Sequence, residues 1–185
     1  MKKWSFNSII KLVINELLYK EGVLLYSKEN TVCFTGHRKI RKSDKDLYTK
    51  IYNVVESLIL QGFLCFCAGG ARGFDTLAAE AVLSLREKYA DVKLVLILPF
   101  FEQYKKEGSW TDEEIERFIN LTKKADSVVY LQREYSKSCY YKRNQLLVEY
   151  SSVCVCYKSR KSGGTAYTVE LAQKEGLKII NLIEK

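Results

Sequence analysis

Two glycine pairs, Gly69-Gly70 and Gly163-Gly164, each follow an apolar run and precede an amphipathic one. Glycine has no Cβ, so its backbone N–H can approach an anion closely. A helix opening just after it adds unpaired N–H groups and the positive end of a dipole. That chemistry suits a phosphate. Around the pairs lie arginines able to hold phosphate oxygens in two places at once: Arg38 in Gly36-His37-Arg38, Arg72 in Gly69-Gly70-Ala71-Arg72-Gly73-Phe74-Asp75, and Arg143 beside Asn144. Thr165 can cap the helix it opens and still offer a hydroxyl. Trp110, or Phe100 after Pro99, supplies a face for a base. Asp75, early in its helix, suits the helix dipole or a ribose hydroxyl better than proton abstraction. His37 alone is explained as well by a backbone carbonyl partner as by catalysis.

These residues make one set only if a fold brings them together, and the patterning predicts one that does. Apolar strands at 31–35, 63–67, 92–98, 127–131, 153–157 and 178–183 alternate with helical segments at 44–61, 74–89, 111–124, 140–150 and 165–175. Gly62 and Gly176 are placed to end two of the helices, and Thr111 with Glu114 forms a capping-box pattern. Strands apolar throughout, alternating with amphipathic helices, specify an α/β fold, a Rossmann-like doubly wound and mainly parallel sheet with helices on both faces. Ligands of such folds bind at the carboxyl ends of the strands, and every residue above sits in a loop following a strand. The domain is expected over 31–185. Residues 1–30 are expected to be an N-terminal helical extension, because Phe6, Ile9, Ile10, Val13, Ile14, Leu17 and Leu18 make one apolar stripe over 5–20.

Composition narrows the function classes. The chain has 185 residues, 47% hydrophobic and 28% charged, which fits one globular domain. Thirty Lys and Arg against 22 Asp and Glu give +8, favouring anionic partners. A single histidine excludes a multi-histidine metal centre. Five of the six cysteines lie in apolar strands without C-x₂-C spacing, so core thiols in a reducing cytosol are expected rather than disulfides or zinc; no metal is expected. The stripe at 5–20 is interrupted by polar residues, so neither a signal peptide nor a membrane span is expected, and the location is cytoplasmic. There is no G-x-G-x-x-G and no G-K-[ST], which disfavours ordinary dinucleotide dehydrogenases and P-loop enzymes.

Five stretches in order resemble the YpsA-like family of the SLOG superfamily, related to the LOG and DprA Rossmann-like folds. They are Cys33-Phe34-Thr35-Gly36-His37-Arg38, Gly69-Gly70-Ala71-Arg72-Gly73-Phe74-Asp75-Thr76, Leu98-Pro99-Phe100, Cys139-Tyr140-Tyr141-Lys142-Arg143-Asn144 and Gly163-Gly164-Thr165-Ala166-Tyr167-Thr168-Val169. The likeness runs from about 31 to 183. It departs from the family in the N-terminal stripe and at Lys39, where the family often has proline.

The resemblance implies a pocket for a nucleotide or nucleotide-derived ligand, with no further cofactor required, in a sensor or regulatory protein. LOG enzymes cleave the N-glycosidic bond of a nucleoside monophosphate with an arginine and a glutamate. Transferred here, that alternative makes Arg143 and Glu170 catalytic, with Glu170 stabilising a ribosyl cation or activating water. The glycine motif is one residue longer than in LOG enzymes, which turns a helix residue by about 100°. A third alternative is DprA-like binding of single-stranded DNA, which the charge permits but no local basic-aromatic motif supports. Self-association is left open.

Overall fold

A computed structural model describes residues 19–20, 23–24, 27–107 and 110–183. Two short strands, β1 (Tyr19–Lys20) and β2 (Val23–Leu24), pair antiparallel. The last two residues of the helix expected over 5–20 are therefore strand, and residues 5–18 lie outside the described residues. A 3₁₀ turn (Lys28–Asn30) then leads into the domain.

The main sheet holds six parallel strands: β3 (Thr31–Gly36), β4 (Cys65–Ala68), β5 (Lys93–Leu98), β6 (Ser127–Tyr130), β7 (Val153–Tyr157) and β8 (Lys178–Asn181). Their lateral order is β6-β5-β4-β3-β7-β8. The helices are α1 (Leu47–Leu60), α2 (Phe74–Arg86), a short α3 (Gln103–Glu107), α4 (Asp112–Lys124), α5 (Cys139–Glu149) and α6 (Gly164–Lys174). This is the doubly wound Rossmann-like α/β fold that the alternation of patterns predicts.

Side chains alternate across the sheet with period two, so each strand feeds two cores. Val32, Phe34, Phe66, Leu94, Leu96, Val155 and Tyr157 join α1, α2 and α4 on one face. Cys33, Cys65, Cys67, Cys154 and Cys156 join α5 and α6 through Leu147, Val148, Val169 and Ala172 on the other. In register, Cys33 pairs with Cys67 on β4 and Cys154 on β7. All six thiols are free and buried. Burial pushes the Cys156 thiol up to about 12, and neighbouring thiols together with burial also raise Cys67 and Cys154.

The helix ends follow local chemistry. Glu114 N–H donates to Thr111 Oγ1 (3.2 Å), and Thr111 N–H donates back to Glu114 Oε2 (2.9 Å), completing the capping box. Gly62, at φ 93°, stands just after α1 in the left-handed conformation that ends many helices.

Candidate functional site

The strand order defines the site. From β3 the chain steps outward through β4, β5 and β6, then returns to lay β7 against the free side of β3. The loops after β3 and β7 must diverge at that reversal, leaving a crevice at the carboxyl ends of the strands. A cleft of about 310 Å³ lies there. Its walls are the end of β3 and the residues after it (Thr35 to Arg38), Ala71 before α2 and Asp75 in its first turn, Tyr140, Arg143 and Asn144 of α5, and Arg160 with Ser162 to Thr165.

The glycines serve different purposes. A Cβ on Gly69 would stand 1.7 Å from Arg143 Nη1, so this residue makes room for that guanidinium. Gly73 has φ 79°, and a Cβ there would lie 2.4 Å from the Arg38 carbonyl oxygen; only glycine lets the loops after β3 and β4 meet. Gly163 and Gly164 contrast with both. Nothing stands within 4 Å of a Cβ at either position, so the backbone at the start of α6 faces open space. No side chain caps α6, and the first N–H groups of a helix have no intrahelical acceptor. The N-cap is Gly163, at φ 97°. Thr165 is therefore the second residue of α6 rather than its cap, because the left-handed Gly163 starts the helix earlier than the sequence suggests.

Arg143 is buried and heavily engaged. Its Nε donates to Asn144 Oδ1 (2.7 Å), its Nη1 donates to the Gly69 carbonyl, and it lies 3.9 Å from Asp75 Oδ2. The Asp75 carboxyl is raised by burial, against the opposing pull of Arg143, the Ala71 N–H (3.4 Å), Arg38 and the Gly69 backbone. Arg143 lines the cleft while holding α5 to the β4 loop. Arg38 and Arg160 complete its cationic lining.

His37 also faces the cleft, but its Nε2 accepts the Ser159 N–H (3.0 Å) and lies 3.0 Å from Ser159 Oγ. Desolvation, then the Arg160 and Arg41 charges, push its pKa down. A neutral imidazole that accepts at Nε2 carries its proton on Nδ1 and ties the β3 loop to the β7 loop.

Several expected residues lie elsewhere. Arg72 stands 3.6 Å from Glu114 at the start of α4. Trp110 packs edge-on against Phe118, 5.6 Å between ring centroids. Gly70 lies under Leu98, and its carbonyl accepts from the buried Gln103. Pro99 is buried at the end of β5. The sheet order explains these placements: β5 is separated from β3 by β4 and from β7 by two strands. Glu170 is exposed on α6, six residues beyond Gly164, or about 9 Å along the helix at about 1.5 Å per residue. It does not line the cleft. Conversely, Arg160, Tyr140, Thr35 and Ser162 line it without having been singled out as ligand contacts. The signal for Arg160 was the basic run Lys158-Ser159-Arg160-Lys161 just before the glycines.

The description "YspA SLOG family" matches residues 32–183, the span of the parallel sheet. The chain belongs to the YpsA SLOG family. Its relatives include a UPF0398 protein of Bacillus cereus (strain G9842), 31% identical over 135 residues, covering 71% of this chain and 70% of the relative. UPF0398 protein YpsA of Bacillus subtilis (strain 168) is 29% identical over 140 residues, covering 72% of this chain and 76% of the relative.

Among solved structures, DNA processing protein A (DprA) from Streptococcus pneumoniae superposes with a TM-score of 0.59 at 17% identity, over 86% of this chain and 51% of that one. DprA from Helicobacter pylori, whose single-stranded DNA binding mode that structure concerns, gives 0.60 at 16% identity, over 84% and 66%. TM1055 gives 0.52 at 18% identity, over 80% and 71%. At these identities the likeness is one of fold. Among the described residues, no helix is long and apolar enough to cross a membrane, and no group of three or more His, Cys, Asp or Glu is placed to hold a metal ion.

Proposed function

We propose that this YpsA-family protein binds a nucleotide-derived ligand in the cleft between β3 and β7, as a cytosolic sensor or regulatory protein. The observation that carries the reading is the convergence, in one cleft, of the open Gly163-Gly164 start of α6 with Arg38 and Arg160. The helix start and the two guanidinium groups suit a phosphate. Asp75 and Asn144, which also line the cleft, suit hydroxyl groups of a ribose. The likeness to LOG enzymes first suggested glycosidic-bond hydrolysis through Glu170. That carboxylate is exposed outside the cleft, and among the described residues the carboxylate that lines it, Asp75, is buried beside Arg143. Binding without turnover fits this arrangement better.

A thermal-shift series with AMP, NAD, ADP-ribose and a cyclic dinucleotide tests the reading. A ligand present at a hundred times its Kd adds about 2.7 kcal/mol, or roughly 5–10 °C for a chain of this size. Arg160→Ala should abolish most of that shift. Absence of any shift at millimolar concentration of all four would overturn the proposal.

A further inference from the structure

We propose that the rim beside the cleft, built from Tyr140, Tyr135 and Lys106, binds the second nucleotide of a single-stranded nucleic acid whose terminal nucleotide occupies the cleft. This rests on the reading of the cleft as a nucleotide site. At about 310 Å³ the cleft is at the small end of ligand sites. It has room for one nucleotide, so further units must lie on whatever borders it.

What borders it is aromatic and cationic. Tyr140 is part of the lining, and Tyr135 stands outward from it, 6.3 Å between ring centroids and 45% exposed. Phe100, itself buried, meets both rings edge-on at 5.8 and 6.0 Å. The two tyrosines are thus braced by the protein before any ligand arrives. Each has a cation at its ring: Arg38 lies 5.6 Å from the Tyr140 centroid, and Lys106 Nζ 5.2 Å from that of Tyr135. The loop carrying Tyr135 adds exposed Arg133 and Lys137, with Glu134 the one acid between residues 132 and 142.

A single strand presents a base face and a phosphate at every step. Proteins that bind such strands without reading sequence combine stacking rings with a basic track. Here two neighbouring tyrosines, each with a cation at its ring, border a cleft lined by an open helix start and arginines, so both requirements are met in one place. A paired base has no free face for Tyr135, so a duplex does not satisfy the rim.

The test compares AMP with 5′-phosphorylated hexamers of deoxyadenylate and adenylate, by calorimetry for AMP and fluorescence anisotropy for the 3′-labelled strands. The hexamer should bind at least tenfold tighter than AMP, and a duplex of the same length should not compete. Tyr135→Ala should weaken the hexamer about tenfold, leave AMP binding and the melting temperature unchanged, and be rescued by Tyr135→Trp. Lys106→Ala should reduce the slope of log affinity against log salt by about 0.7. The two sugars decide between DNA and RNA as the source of the strand. If AMP binds but chain length and Tyr135→Ala make no difference, or if the duplex competes equally, the rim proposal falls and the cleft reading stands. If neither AMP nor either hexamer binds, both fall.

Discussion

Replacing Arg143 by methionine keeps most of its volume and removes its charge and donors. Both Arg143 and Asp75 are over nine-tenths buried, with 3.9 Å between Nη1 and Oδ2. At that separation two unit charges attract by about 4 kcal/mol at an effective dielectric constant of about 20. The Gly69 carbonyl and the Asn144 side chain also lose their donor, and a buried group left unsatisfied costs about 1–3 kcal/mol. The methionine recovers some packing, so the net loss should match that of broken buried pairs, about 3–5 kcal/mol, or on the order of 10 °C in Tm.

The pH dependence separates this from simple loss of packing. Burial already raises the folded Asp75 pKa, and removing Arg143 raises it further. A carboxyl with a raised folded pKa binds its proton more tightly in the folded state. Stability is then highest below the unfolded value of about 3.9 and declines as pH rises toward the folded pKa, by about 1.4 kcal/mol for each unit of difference. Arg143→Met should therefore lose more stability than the parent between pH 4 and 7, by urea titration at each pH. Adding Asp75→Asn should flatten that slope and restore part of the loss. A cost under about 1 kcal/mol, or pH profiles that run parallel, would refute the coupling of Arg143 to Asp75.

Three other outcomes are expected. Gly164→Ala adds a methyl where nothing stands within 4 Å; calorimetry should show ligand affinity falling several-fold, while helix propensity leaves stability unchanged or raises it by up to about 1 kcal/mol. Glu170→Gln should leave ligand affinity unchanged, and release of free base from AMP should be absent in both parent and variant. The Tyr157 hydroxyl, then Arg41 and Ser43, hold the Asp44 carboxyl down at about 2; its stabilisation is present above the unfolded pKa of about 3.9 and is lost as pH falls toward 2, so Tyr157→Phe should shift the Asp44 NMR titration upward and weaken this acid-side loss.

What the sequence disclosed depended on the range of the interaction. The capping box at Thr111 and Glu114 spans three residues and was legible, as was Gly62 after α1. The Cys-x-Cys pairs showed which strand residues share a face, because alternation is a property of the strand itself. Arg72 and Arg143 looked alike as arginines in loops or early helix near strand ends. Their fates are set by partners 42 and 74 residues away, Glu114 and Gly69, which no local pattern encodes. Trp110 and Pro99 follow the same strand as one another, and patterning alone gives all strand ends equal claim to the site. The lateral order of strands, which places β5 away from the reversal, is the information that local patterning lacked. The Glu170 expectation rests on another family's motif, and here that residue is exposed on α6 outside the cleft.

The thiols beneath α5 and α6 make the protein its own opening gauge. Buried with no path for reagent, Cys33, Cys67 and Cys154 can be alkylated only while that helical layer is lifted from three neighbouring central strands. The rate of mass gain under native conditions thus reports how often that face parts, with no engineered label. Tyr140 and Arg143 of α5 and Gly164 and Thr165 of α6 all line the cleft, so an occupant would staple the two helices together and slow every one of these alkylations at once.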